Sequence, residues 1–207
     1  MREYPVRLQK YSKIAGISGP CASFKPCRSK TTMIKIMTAA VAILIAGVLA
    51  LAASRADTFH VERSIVINAA PEKIFPLIND FHGWTAWSPY EKIDPAMNRR
   101  YSGATSGKGS TYEWAGRGKS GAGRMEIMES QAPSKIRIQL EFTVPFNSRN
   151  RAEFDMQAQG SATRLTWSMD GPSPFISKLM GVFFNMDRMV GRDFQVGLEN
   201  IKAIAER

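Results

Sequence analysis

The sequence predicts an α+β fold: an antiparallel sheet covered on one face by helices, the last of them long, behind an N-terminal transmembrane or signal-anchor helix. Three observations carry this expectation. Ile36 to Ala53 runs without a charge between Lys35 and Arg55. Lys135 to Phe142 alternates apolar and polar residues with the period of a half-buried strand. From Ser173 to Glu206 apolar residues recur at helical spacing.

The uncharged run, IMTAAVAILIAGVLALAA, is just long enough, at about 1.5 Å per residue, to cross a hydrocarbon layer of about 30 Å. A core helix this uniformly apolar would need apolar cover on every side, and the rest of the chain is too polar to supply it easily. Small residues at Ala50-Leu51-Ala52 and Ala52-Ala53-Ser54 also suit a signal cleavage site. Residues 33–54 therefore read as a membrane anchor or a cleaved signal, with the membrane met through residues 36–53. Lys25, Arg28, Lys30 and Lys35 precede the run, whereas Arg55, Asp57, Glu62 and Arg63 nearly cancel after it. Positive residues stay on the cytoplasmic side, so residues 55–207 are expected outside the cytoplasm, in the periplasm of a bacterium, or secreted if the signal is cut.

Residues 1–32 mix Lys and Arg with Ser, Gly and Pro and show no sustained period, as a disordered or non-native extension does. They hold both cysteines, Cys21 and Cys27, at a spacing that matches no common metal-ligand pair. The segment before the apolar run also supplies most of the net charge of +10. In the remainder Lys and Arg are scattered among acids, with Arg99-Arg100 the one adjacent pair. This pattern gives no support to a nucleic-acid partner; the basic residues before the helix suit anionic lipid headgroups.

From Thr58 onward the chain is long enough for one core and carries no low-complexity linker. Phe59 to Asn68 alternates as a first strand, with Arg63, Ile65 and Ile67 on one side. Pro71 and Glu72 suit the first turn of a helix, Ile74, Phe75, Leu77 and Ile78 give it an apolar face, and Asn79, Asp80 and Gly83 stop it. An aromatic loop, WTAWSPYEKIDP, follows, and then short segments punctuated by glycine at 99–103, 110–115 and 124–130, which read as hairpins. Ile136, Ile138, Leu140 and Phe142 face the core from the next strand, Ala152, Phe154 and Met156 from the one after, and Leu165, Trp167 and Met169 from the last. In the terminal helix Gly181, Gly191 and Gly197 each cost about 1 kcal/mol relative to alanine, which suits a helix lying tightly on the sheet or bending there.

This order of elements, together with VERSIVINAAPEKIFPLINDFHGWTAWSPYEKIDP, the middle run YSGATSGKGSTYEWAGRGKSGAGRMEIMES and the closing GPSPFISKLMGVFFNMDRMVGRDFQVGLENIKAI, resembles the START-like or Bet v 1-like (SRPBCC) superfamily, in its bacterial polyketide cyclase/dehydrase-like branch. The resemblance implies a helix-grip fold: a curved antiparallel sheet wrapped around a long C-terminal helix, with a cavity between them. Members bind lipids, sterols, polyketides or chaperone partners, so the resemblance does not name the chemistry.

The catalytic inventory is sparse. The two histidines, His60 and His82, form no zinc motif and the domain lacks cysteine, so neither a metal nor a cofactor is expected. His60 reads as a solvated linker residue. His82, between Asp80 and Trp84, is the one weak candidate for a general base. Aromatic residues offer more, since they supply apolar contact area with a polar edge: Trp84, Trp87, Tyr112, Trp114, Trp167 and Phe183 are expected to meet a ligand in the implied cavity, aided by the adaptable Met180, Met186 and Met189. The glycines between Gly103 and Gly123 match no phosphate-binding loop. The favoured function is non-covalent binding of an apolar or amphipathic small molecule, such as a lipid, in the cavity. A polyketide cyclase/dehydrase-like enzyme and a protein-partner-binding module are the alternatives.

Overall fold

A computed structural model describes residues 30–145, 147–183 and 185–207, without the side chains of Lys119, Phe183 and Met186. Residues 1–29, with Cys21 and Cys27, lie outside the described part. The first helix, α1 (Lys30–Ala53), is apolar on all sides and long and apolar enough to cross a membrane. Its 24 residues reach about 36 Å. The chain divides into two units between Ile43 and Leu44, within α1.

The second unit carries the sheet. Strand β1 (Thr58–Ile67) is followed by α2 (Pro71–Asn79) and α3 (Trp84–Trp87), each succeeded by a short 3-10 turn, at Phe81–Gly83 and Pro89–Lys92. Then come β2 (Asn98–Gly103), β3 (Ser110–Ala115), β4 (Ala122–Gln131), β5 (Lys135–Val144), β6 (Ser148–Gln159), β7 (Ala162–Pro172), α4 (Phe175–Phe183) and α5 (Met186–Ala205). The strands form one curved antiparallel sheet in the order β1-β7-β6-β5-β4-β3-β2. Register shifts at Ala122/Gly123 and Ile127/Glu129 mark irregularities of the kind that bends a sheet.

Local chemistry explains the boundaries. Pro71 opens α2 at a position where its missing N–H leaves no bond unmade. Asp80 takes the backbone N–H of His82 and caps the following turn. Gly107 and Gly109 adopt φ of 73° and 87° in the β2–β3 turn, the conformations their spacing predicts.

The sheet's inner face and α5 make the core. Ile136, Ile138, Phe154, Leu165 and Trp167 meet Phe194, Leu198 and Ile201, all of them buried. The alternation expected of β5 holds, but only its first half is fully buried; Leu140 and Phe142 are partly exposed.

The helical period read across 173–206 is divided. Asn185 accepts a hydrogen bond from the Arg188 N–H at 2.9 Å and caps α5, so α4 ends before it. Two of the terminal glycines sit where the helix touches its neighbours. A Cβ at Gly197 would lie 2.8 Å from the Trp167 ring, and one at Gly191 would collide with the Arg63 guanidinium. Arg63 spans from β1 to the start of α5, donating to both carboxylate oxygens of Asp187 at 3.0 Å and to its backbone carbonyl at 3.0 Å. The glycines let α5 lie this close, which a longer side chain would prevent.

Candidate functional site

A cleft of about 960 Å³ opens at the end of the sheet where β1 begins and β7 ends. Phe59 and Val61 of β1, Met169 of β7 and Phe142 of β5 supply apolar walls, and α4 and the start of α5 close it with Ile176, Val182, Met189 and Val190. Most of the enclosing surface is apolar, which suits a hydrocarbon or ring system more than a highly charged ligand.

One polar group stands out inside it. Asn150 occupies an inward position of β6, in phase with Ala152, Phe154 and Met156, and is buried. Its Oδ1 has no hydrogen-bond partner among the described residues. The amide sits over Gly171 of β7, where a Cβ would strike both the Asn150 amide and the Phe59 ring. A buried acceptor without a partner costs about 1–3 kcal/mol, and here it borders a cleft large enough to admit a donor.

The remaining polar groups of the cleft are mostly tied down. Lys178 is buried and its Nζ pairs with Asp57 Oδ1 at 2.5 Å, while the Ser173 N–H donates to the Asp57 carbonyl at 2.7 Å. The hydrogen bond from Lys178 holds the Asp57 carboxyl below its usual range. Arg63 does the same for Asp187. At the rim, His60 Nδ1 lies 2.7 Å from Asp170 Oδ1, and that hydrogen bond raises its pKa above the ordinary value. His60 lines the cleft, a more specific position than a solvated linker.

Five of the six expected aromatic residues are joined by a chain of ring contacts that also passes through Phe81, behind the cleft. Trp84 and Trp87 are buried, and their indole N–H groups donate to Ile78 O at 2.9 Å and Leu77 O at 2.8 Å, satisfying carbonyls that the end of α2 leaves free. Trp167 is stacked between Phe154 and Phe194, at centroid distances of 4.8 and 4.0 Å. Its Nε1 is buried without a partner among the described residues. Tyr112 donates to Glu91 Oε1 at 2.6 Å, and Arg99 Nε approaches Glu91 Oε2 at 2.7 Å. Burial, with this bond to the carboxylate, pushes the Tyr112 hydroxyl well above its ordinary range. Trp114 donates to Ser120 O at 3.0 Å and packs edge-on to Phe142. None of these five side chains lines the cleft. They touch it at second hand, through Phe142 against Trp114 and through Met169, the next inward residue after Trp167 on β7. The Phe183 side chain lies outside the described residues.

His82 is half exposed, bonded to Asp80 at 2.8 Å and stacked on Tyr101 at 4.1 Å, away from the cleft. Arg137, Arg149 and Arg151 point from the other sheet face and pair with Glu129 and Glu153, Glu141, and Asp170. Among the described residues no group of three or more His, Cys, Asp or Glu side chains is placed to hold a metal ion. Asn150 had a sequence signal that the pattern beginning at Ala152 passed over: it is a polar residue in the apolar register of its strand.

Residues 58–206 match the family model described as polyketide cyclase / dehydrase and lipid transport. No curated protein matches the chain. Among solved structures, the chain is similar to protein CV1439 from Chromobacterium violaceum, at 14% identity, 73% of this chain, 99% of that one and a TM-score of 0.51. It is similar also to major latex-like protein 151 from Panax ginseng, at 12% identity, 73% of this chain, 100% of that one and a TM-score of 0.51. The di-domain ARO/CYC BexL of the BE-7585A biosynthetic pathway matches at 14% identity over 77% of this chain and 53% of that one, with a TM-score of 0.55. At these identities the likeness concerns the fold.

Proposed function

We propose, on the premise that the chain belongs to the polyketide cyclase/dehydrase and lipid transport family, that its domain binds an apolar or amphipathic small molecule in the cleft without covalent chemistry. The observation that carries this reading is Asn150: an unpartnered buried amide in an otherwise largely apolar cleft. Such a site rewards a ligand with a hydrocarbon body and a hydroxyl or amide that donates to Oδ1. Lipids and polyketides with a neutral polar end fit that description.

The aromatic set enters the proposal as the backing wall. Met169 and Phe142 separate the ligand from Trp167 and Trp114 by one layer of side chains, so occupancy should alter tryptophan emission. Binding is favoured over proton transfer because the groups suited to the latter are already engaged. Glu91 is held by Arg99 and Tyr112, and His82 by Asp80, outside the cleft, while His60 of the cleft lining is held by Asp170 at the rim. In the same proposal α1 anchors the protein, and the basic residues before it place the domain on the extracytoplasmic side.

The test is native mass spectrometry of the full chain extracted gently from its source membrane, followed by solvent extraction and identification of what is released. A bound apolar or amphipathic species is the expected result. A uniformly ligand-free protein whose tryptophan emission ignores a lipid panel would overturn the reading.

A further inference from the structure

Along α4 and the start of α5 the cleft's rim is apolar on the outside. Phe175, Ile176 and Met180 of α4 and Met189 of α5 are each about half exposed, although together they form the most apolar exposed corner of the C-terminal helices. Ile176 and Met189 also line the cleft, so the corner and the mouth are one surface. Val144, at the tip of the β5–β6 hairpin, is exposed beside the cleft residue Pro145. Exposed Arg55 lines the cleft, and exposed Arg188 precedes Met189 in α5. Apolar residues flanked by cations form the pattern that seats a helix in the headgroup–acyl boundary of a bilayer.

The chain supplies a reason why the occupant is a bilayer. Asp57 is bonded to α4 through the Lys178 ammonium and to the segment leading into α4 through the Ser173 N–H, and it follows the last residue of α1, Ala53, by four positions. Four residues span at most about 14 Å. Wherever α1 crosses a membrane, the start of α4 is therefore held close to that membrane's surface, whereas a protein partner would have to be recruited there.

We propose that the α4–α5 corner is a membrane-docking surface, seated on the bilayer that α1 spans, so that the cleft opens into the headgroup–acyl boundary and takes its ligand directly from the lipid. The inference rests on α1 spanning the membrane and on the cleft as the binding site. Docking places the half-exposed Phe175, Ile176, Met180 and Met189 in an apolar medium, and lets an amphipathic molecule pass sideways into the cleft without crossing water.

The experiment uses the full chain in phosphatidylcholine liposomes, with and without acyl-chain bromine as a short-range quencher. Met180→Trp places a reporter on the corner. Met128→Trp places one on an exposed position of β4 near the end of the strand paired with the start of β5, whereas the cleft lies at the other end of β5. Flotation is measured on the same samples. Co-flotation, with the emission added by Met180→Trp lost in brominated lipid and that added by Met128→Trp retained, is the expected result. Co-flotation with any other quenching pattern overturns docking while leaving the span and the cleft standing. Failure to float overturns the span, and the docking proposal with it; ligand release in native mass spectrometry still decides the cleft separately.

Discussion

Replacing Asn150 by leucine tests the cleft at its most informative atom. The two side chains branch at the same carbon and have similar size, so Asn150→Leu exchanges an unpartnered buried amide for a methyl pair at nearly constant volume. In the ligand-free protein the change removes a penalty of about 1–3 kcal/mol and adds apolar burial. Unfolding free energy should rise by about 1–2 kcal/mol, and the melting temperature by roughly 2–4 °C per kcal/mol for a domain of this size. Binding should move the other way. A ligand that donates to Oδ1 loses about 1–1.5 kcal/mol, close to a tenfold increase in Kd. A long-chain alcohol and its methyl ether, titrated into the detergent-solubilised full chain by tryptophan emission, separate the contributions, because only the alcohol can donate. Wild type should prefer the alcohol by about tenfold, and Asn150→Leu should bind both alike. A variant that melts lower than wild type, or one that keeps the preference, would refute the reasoning, since Oδ1 would then be paired within the fold or irrelevant to the ligand.

Four further outcomes are expected. Gly197→Ala gains about 1 kcal/mol of helix propensity but presses a methyl group into Trp167, an overpacking cost of about 1–3 kcal/mol, so chemical denaturation should show no gain and up to about 2 kcal/mol of loss. The His60–Asp170 bond contributes stability that is present below the ordinary histidine value of 6.5 and fades as pH rises through the raised folded value; His60→Gln should remove that slope from a melting-temperature profile. For Asp187 the sign reverses: its carboxyl is held low by Arg63, so its contribution is present above 3.8 and lost as pH falls through the lower folded value, and Asp187→Asn should flatten the acid limb. His82→Ala should leave ligand uptake by native mass spectrometry unchanged, because His82 lies outside the cleft; a large drop with the fold intact would return it to the site.

The fold was legible in the sequence because its signals are local and repeated. The alternation in β5, Pro71 at the first turn of α2 and the helical period of α5 each follow from nearest-neighbour geometry. The division of α4 from α5 was harder to read, since the apolar period passes through it and the stop depends on one side-chain bond, Asn185 to Arg188. The aromatic residues were legible as a group that meets, but not in how they are used. Trp84 and Trp87 spend their N–H groups on carbonyls of α2, and Tyr112 on Glu91, pairings set by three-dimensional folding over sequence gaps that no period reveals. The cleft draws on the ends of four strands and two helices, where the alternation is weakest, and so its residues carried little signal beyond the misplaced polarity of Asn150.

The pairing of β1 with β7 bears on how the protein is made. Thr58 lies opposite Pro172 and Ile67 opposite Thr163, so the first strand to leave the ribosome waits for a partner about 100 residues downstream, a separation typical of slow, non-local closure. Until that partner arrives, β1 is open on both edges rather than the one it keeps in the finished sheet, and Val61 and Ile67 have no core to enter. The growing chain must carry this unpaired strand through most of its synthesis, in the state most prone to wrong association. Once β7 and α5 emerge, strand edge, core and cleft are completed together, and truncations that remove the last helix should yield aggregation rather than a smaller folded domain.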